Sequence, residues 1–141
     1  METENKTTIT IKTLVNAPVS KVWTLWNDPE HVVKWNSASD DWHTPKAEND
    51  LTVGKGFLYT MAAKDGSFSF DFEATYTAIE QQKLIEYTLA DDRKVKIEFI
   101  EEGNQTHIIE AFEAEGENPA DMQREGWQAI LNNFKQYAES N

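Results

Sequence analysis

From Phe57 to Phe112 the chain keeps a period of two, and this alternation limits the fold more than any other feature. Phe57, Tyr59 and Met61 share a face, and Lys64-Asp65-Gly66-Ser67 turns the chain back as a hairpin. The return strand puts Phe68, Phe70, Phe72, Ala74 and Tyr76 on one side, with Ser69, Asp71 and Glu73 opposite. Three further strands carry Ile85/Tyr87/Leu89, Val95/Ile97/Phe99 and Ile108/Phe112, with turns at Ala90-Asp91-Asp92 and Glu102-Gly103-Asn104. Consecutive hairpins make an antiparallel meander with one wet face. So few strands cannot close a curved sheet on itself, so another element must cover the apolar face.

That element is the C-terminal helix. Trp127, Ile130, Leu131, Phe134 and Ala138 recur at helical spacing. Asn118 is its expected cap, with Pro119 at the first position and Asp121 in the favourable first turn. Gly126 costs such a helix about 1 kcal/mol against Ala, which predicts a close approach to the sheet there. At the other end, Thr7 to Val15 reads as a strand with Ile9, Ile11 and Val15 inward. Two short helices follow between Asn16 and Trp35, with Pro18 and Pro29 at first helical positions and Asn16 and Asp28 as caps. Val22, Trp23 and Trp26 are expected in the core. Asn36 to Lys55 reads as a loop around Trp42, holding one short strand near Lys46. The expected architecture is a single α+β domain over residues 1–141: a curved antiparallel sheet of about six to seven strands around a long helix.

Composition narrows the function. With 13 basic against 25 acidic side chains the net charge is −12, which argues against nucleic acid and anionic membranes. There is no cysteine, so disulfides, thiolate nucleophiles and cysteine-ligated zinc are excluded. The polar start M-E-T-E-N-K-T-T lacks the apolar segment of a signal peptide. No apolar run is long enough for membrane insertion, so the expectation is a cytoplasmic protein. His31, His43 and His107 lie far apart without metal-ligand spacing, and no metal or cofactor is expected.

Four segments carry a resemblance: A-P-V-S-K-V-W at 17–23, D-P-E-H-V-V-K-W at 28–35, D-G-S-F-S-F-D-F-E-A-T-Y at 65–76 and G-W-Q-A-I-L-N-N-F-K-Q-Y at 126–137. Together they resemble the SRPBCC, or START-like, superfamily, and within it the activator-of-Hsp-90-ATPase homologue group. The resemblance implies a helix-grip fold, a sheet gripping the C-terminal helix with a ligand-sized cavity between them. It also implies a small apolar or amphipathic ligand, a lipid or an aromatic compound. The group's name comes from a co-chaperone domain, so a chaperone-like protein partner or a stress-response adaptor role is the second expectation. Fold alone does not decide between them. The chain departs from the family pattern at Gly54-Lys55-Gly56, Ala74 and Asp92.

The expected cavity lining is Trp35, Tyr59, Met61, Phe70, Phe72, Tyr87, Phe112, Trp127 and Leu131, with Trp42 and His43 at the mouth. Any of these would serve equally in a filled core, where a large buried side chain contributes about 1.5–3 kcal/mol. No complete catalytic constellation is readable. Ser39, Asp40, Asp41 and His43 hold the ingredients of a triad, but within a segment too short to make groups converge. Glu110 is the one weak catalytic candidate, a carboxylate on the face of Ile108 and Phe112. A cyclase- or hydrolase-like enzyme using it is the third expectation; a twist turning it to water, or a partner such as Lys12 or Arg124, is the structural alternative.

Overall fold

Seven strands form, six of them on the period-two alternation and one without it. A computed structural model describes residues 7–116 and 119–140 of the chain. In order come β1 (Thr8–Val15), α1 (Val19–Asn27), α2 (Pro29–Trp35), β2 (Trp42–Asn49), β3 (Gly56–Ala63), β4 (Ser69–Glu80), β5 (Leu84–Leu89), β6 (Lys94–Glu102), β7 (Gln105–Glu113) and α3 (Ala120–Ser140). The strands form one curled antiparallel half-barrel in the order β1-β7-β6-β5-β4-β3-β2. The concave face carries the core, and α3 lies along it, packed on β1 and the two short helices. None of the described helices is long and apolar enough to cross a membrane.

Both sheet edges are blunted, as exposed backbone edges otherwise invite pairing with other chains. On β1, Arg124 Nη1 donates to the Thr10 carbonyl at 3.0 Å and Lys135 Nζ to that of Leu14 at 2.7 Å. Between them Gln128 reaches Lys12. Three side chains of α3 thus occupy alternate carbonyls of the free edge. On β2, the pairing with β3 shifts between His43 and Lys46, where Pro45 has no N–H to offer. The expected loop therefore contains an eight-residue edge strand. It includes the short strand expected near Lys46, and because only Thr44 in it is buried, its alternation is too weak to give its full length from sequence.

The two short helices form as expected, with one change at the cap. Asp28 ends α1 through its N–H to the Thr24 carbonyl and caps α2 by accepting from the Glu30 N–H at 3.0 Å. Pro29 takes the first turn. Asn16 does not cap α1: Pro18 occupies that position in extended conformation, and the Asn16 N–H donates to Glu139 on α3 at 2.8 Å. Asn118, the expected cap of α3, lies outside the described residues.

Two glycines behave in opposite ways. Gly56 stands opposite Thr75 at the start of β3, and a Cβ there would fall 1.7 Å from the Ala74 carbonyl oxygen. Only glycine fits. Gly126 makes no such approach, since a Cβ would meet nothing within 4 Å. The close contact expected from the sequence is absent. Gly126→Ala is therefore expected to stabilise the protein by about 1 kcal/mol through helix propensity alone. Urea denaturation checks this, and a lowered midpoint would contradict it.

Candidate functional site

β7 carries a carboxylate where its neighbours carry isoleucine. The strand register aligns Ile11, Glu110, Ile97 and Ile85 as one row across β1, β7, β6 and β5. Glu110 is only 6 % exposed, and burial pushes its carboxyl up to about 8. No hydrogen bond or ion pair reaches this side chain among the described residues. It is not turned to water, and neither Lys12 nor Arg124 meets it.

The next row over runs Ile9, Phe112, Val95, Tyr87 and Tyr76. Burial raises the Tyr87 phenol, and the nearby negative charge of Glu110 raises it further. Tyr59 on β3 is also raised, first by burial and then by Tyr76. Tyr76 donates its hydroxyl to Asn49 Oδ1 at 2.6 Å. The hydroxyls of Tyr59 and Tyr87 have no such partner among the described residues. Both hydroxyls and the Glu110 carboxyl belong to residues that line one cavity.

That cavity, between sheet and α3, has a volume of about 290 Å³. Its floor is Phe57, Tyr59, Phe72, Tyr76, Ile85 and Tyr87 from β3, β4 and β5. Its roof is Trp127 and Ile130 of α3. Trp26 and Trp35 close one end, where both indoles pack edge-on to Phe134 with ring centroids 4.9 Å apart. Trp35 is fixed by its indole N–H, which donates to the Leu25 carbonyl at 3.0 Å. At the other end Phe70 is 41 % exposed, and Met61, Arg93 and Glu115 are half-buried. This is the mouth. Arg93 is held there by Asp91 at 2.8 Å, and the Glu115 N–H and carbonyl are bonded by the Gln123 amide.

Of the residues expected to line a cavity, Trp35, Tyr59, Met61, Phe70, Phe72, Tyr87 and Trp127 stand on its wall. Phe112 and Leu131 stand behind it. Trp127 stacks flat on Phe112 at 3.9 Å and takes the surface Phe112 would have presented, while Leu131 is 1 % exposed in the core. Trp42 and His43 do not line the space either. Trp42 packs edge-on against Phe68 and Phe70 at about 6 Å, touching the mouth only through Phe70, and His43 is exposed on β2. Ser39, Asp40 and Asp41 are also exposed and bring no triad together. Among the described residues no cluster of three or more histidine or acidic side chains could hold a metal ion.

Sequence reasoning missed several wall residues. Phe57 and Tyr76 carried a usable signal, since each shares a strand face with residues that were identified. Trp26 was placed in the core, and its ring does touch Trp35, Phe99 and Phe134, but one side borders the cavity. Asn27, Asn36, Arg93, Glu115 and Gln123 come from helix ends and turns, where no periodicity marks direction.

Solved structures share this fold. An AHSA1-like protein from Aeromonas hydrophila is 41% identical, with a TM-score of 0.89 over 95% of this chain and 93% of that one. A protein from Cytophaga hutchinsonii is 52% identical, with a TM-score of 0.81 over 94% and 92% of the two chains. A Chromobacterium violaceum protein at 20% identity and TM-score 0.84, covering 95% of this chain and 98% of its own, shares the fold. No curated protein matches the chain. The family model described as activator of Hsp90 ATPase homolog 1-like protein matches residues 16–139, nearly the whole of the fold described above. The chain belongs to that family.

Proposed function

We propose that the protein binds a small amphipathic molecule in the cavity between sheet and α3. The observation that carries this reading is the polar set of Glu110, Tyr59 and Tyr87, without a protein partner among the described residues, set among aromatic side chains. Among the described residues no side-chain oxygen or nitrogen is sealed from solvent without a partner, so these three groups open onto the cavity, where a bound molecule can take their hydrogen bonds. A volume of about 290 Å³ stands at the small end of ligand pockets, roughly 300–1,000 Å³. It suits a single ring system or a short chain and is too small for a two-chain lipid. Burial keeps the Tyr59 and Tyr87 phenols protonated at neutral pH, so they donate hydrogen bonds instead of acting as bases. That favours binding over catalysis. The exposed Phe68 and Phe70, packed on the half-buried Trp42, adjoin the mouth, so they support an entry surface for the cavity more than a separate docking face.

Native mass spectrometry of the purified protein, before and after denaturation, tests this together with thermal shift across small apolar and amphipathic compounds. A ligand at a hundred times its Kd is expected to stabilise the protein by about 2.7 kcal/mol, raising Tm by several degrees. Trp127 emission is expected to change on binding, because the indole forms the roof. No adduct and no shift across the library would overturn the reading.

A further inference from the structure

Resting on the cavity reading, we propose that the ligand carries an organic ammonium group, which Glu110 pairs with while the surrounding aromatic rings hold its apolar body. Three independent features converge on this class. The first is charge. Glu110 faces Ile11, Ile97 and Ile85 along its row, and among the described residues no basic side chain compensates it. Among the described residues Arg93 is the one cationic residue on the wall, and it is engaged by Asp91. The remaining titratable groups on the wall are Tyr59, Tyr76, Tyr87 and Glu115, and α3 contributes only Gln123, Trp127 and Ile130. Among the described residues the countercharge is therefore missing. A neutral hydroxyl would satisfy hydrogen bonds without supplying it.

The second feature is the aromatic wall. Phe57 stacks on Tyr59 at 4.3 Å and meets Tyr87 edge-on at 5.0 Å, while Trp127 meets Phe72 at 6.0 Å. Aromatic faces attract a desolvated cation through their quadrupole, with Trp the strongest. They repel an anion. The third feature is the field outside. A protein of net charge −12, with Glu115 at the mouth, draws cations toward the opening and disfavours carboxylate ligands. Below pH 8 binding then exchanges a proton: the carboxylic acid of Glu110 gives its proton to buffer as the ammonium ion takes its place.

The test uses 2-phenylethylamine, 2-phenylethanol and phenylacetate, which share a ring and differ in head group. Isothermal titration calorimetry on the full chain is run from pH 6 to pH 9. The amine is expected to bind at least tenfold tighter than the alcohol at pH 8, with phenylacetate weakest. Amine affinity is expected to rise at least tenfold from pH 6 to pH 8, with proton release visible in buffers of different ionisation heat. Glu110→Gln is expected to erase both the amine's advantage and its pH dependence. Equal binding of alcohol and amine would overturn the cation assignment and leave the cavity reading standing. So would an amine preference that survives in Glu110→Gln. Silence from all three, joined by silence from the wider library, would overturn both.

Discussion

Glu110→Gln is expected to stabilise the ligand-free protein, by about 2 kcal/mol at pH 6 and about 4–5 kcal/mol at pH 9. A carboxyl raised from 4.5 to about 8 binds a proton in the folded state that the unfolded chain has already released. Below pH 4.5 both states are protonated and the group is neutral to stability. Between 4.5 and 8 stability falls by about 1.4 kcal/mol per pH unit, and above 8 the loss is complete. Glutamine keeps the size and polarity of the protonated acid and has no proton to lose. The measurement is the difference between variant and wild type in urea midpoints across pH 5 to 9, which cancels the titration of surface groups. A difference independent of pH would show that Glu110 is solvated in the folded state. The site would then lose its unpaired charge. A residue this costly to ionise is a poor choice for stability, so the same number measures what a ligand supplying the countercharge would recover.

The row that creates this cost was half legible in the sequence. Alternation placed Glu110 on the same face as Ile108 and Phe112, and that followed from β7 alone. Its convergence with Tyr87 and Tyr59 depends on register across four further strands, and one residue of slip sends each side chain to the opposite face. The pairing of β4 with β5 does slip between Tyr76 and Ala78, which no local pattern in T-Y-T-A-I announces. The hairpins, the final helix and the Asp28–Pro29 junction were readable because each rests on near neighbours in the chain. Of the edge strand β2 only a short stretch near Lys46 was readable, and its full extent was not, since a strand with one buried residue has nothing to alternate. Phe112 and Leu131 show a further limit. Spacing puts Phe112 and Trp127 on facing surfaces, but which of two stacked rings borders the cavity is decided by packing alone.

Phe134→Ala is expected to cost about 3–5 kcal/mol, a large share of the roughly 5–15 kcal/mol that holds a domain of this kind together. Its ring is fully buried, and it meets Trp26 and Trp35 edge-on, both at 4.9 Å. These three rings join α1, α2 and α3 at the blind end of the cavity, so truncation removes contacts on two sides. Phe72→Ala is the informative comparison. Phe72 is half-buried, and part of its ring already borders empty space, so fewer contacts are lost and no new void is enclosed. Its cost is expected to be less than half that of Phe134→Ala, read from denaturant midpoints at constant m value. The two phenylalanines have the same side chain, so the ratio isolates the environment. Equal costs would mean that Phe72 is packed on all sides in solution and that the space beneath α3 is closed. A large ratio would mean that the sheet holds its aromatic wall open without a ligand, with Trp26, Trp35 and Phe134 as the wedge that keeps helix and sheet apart.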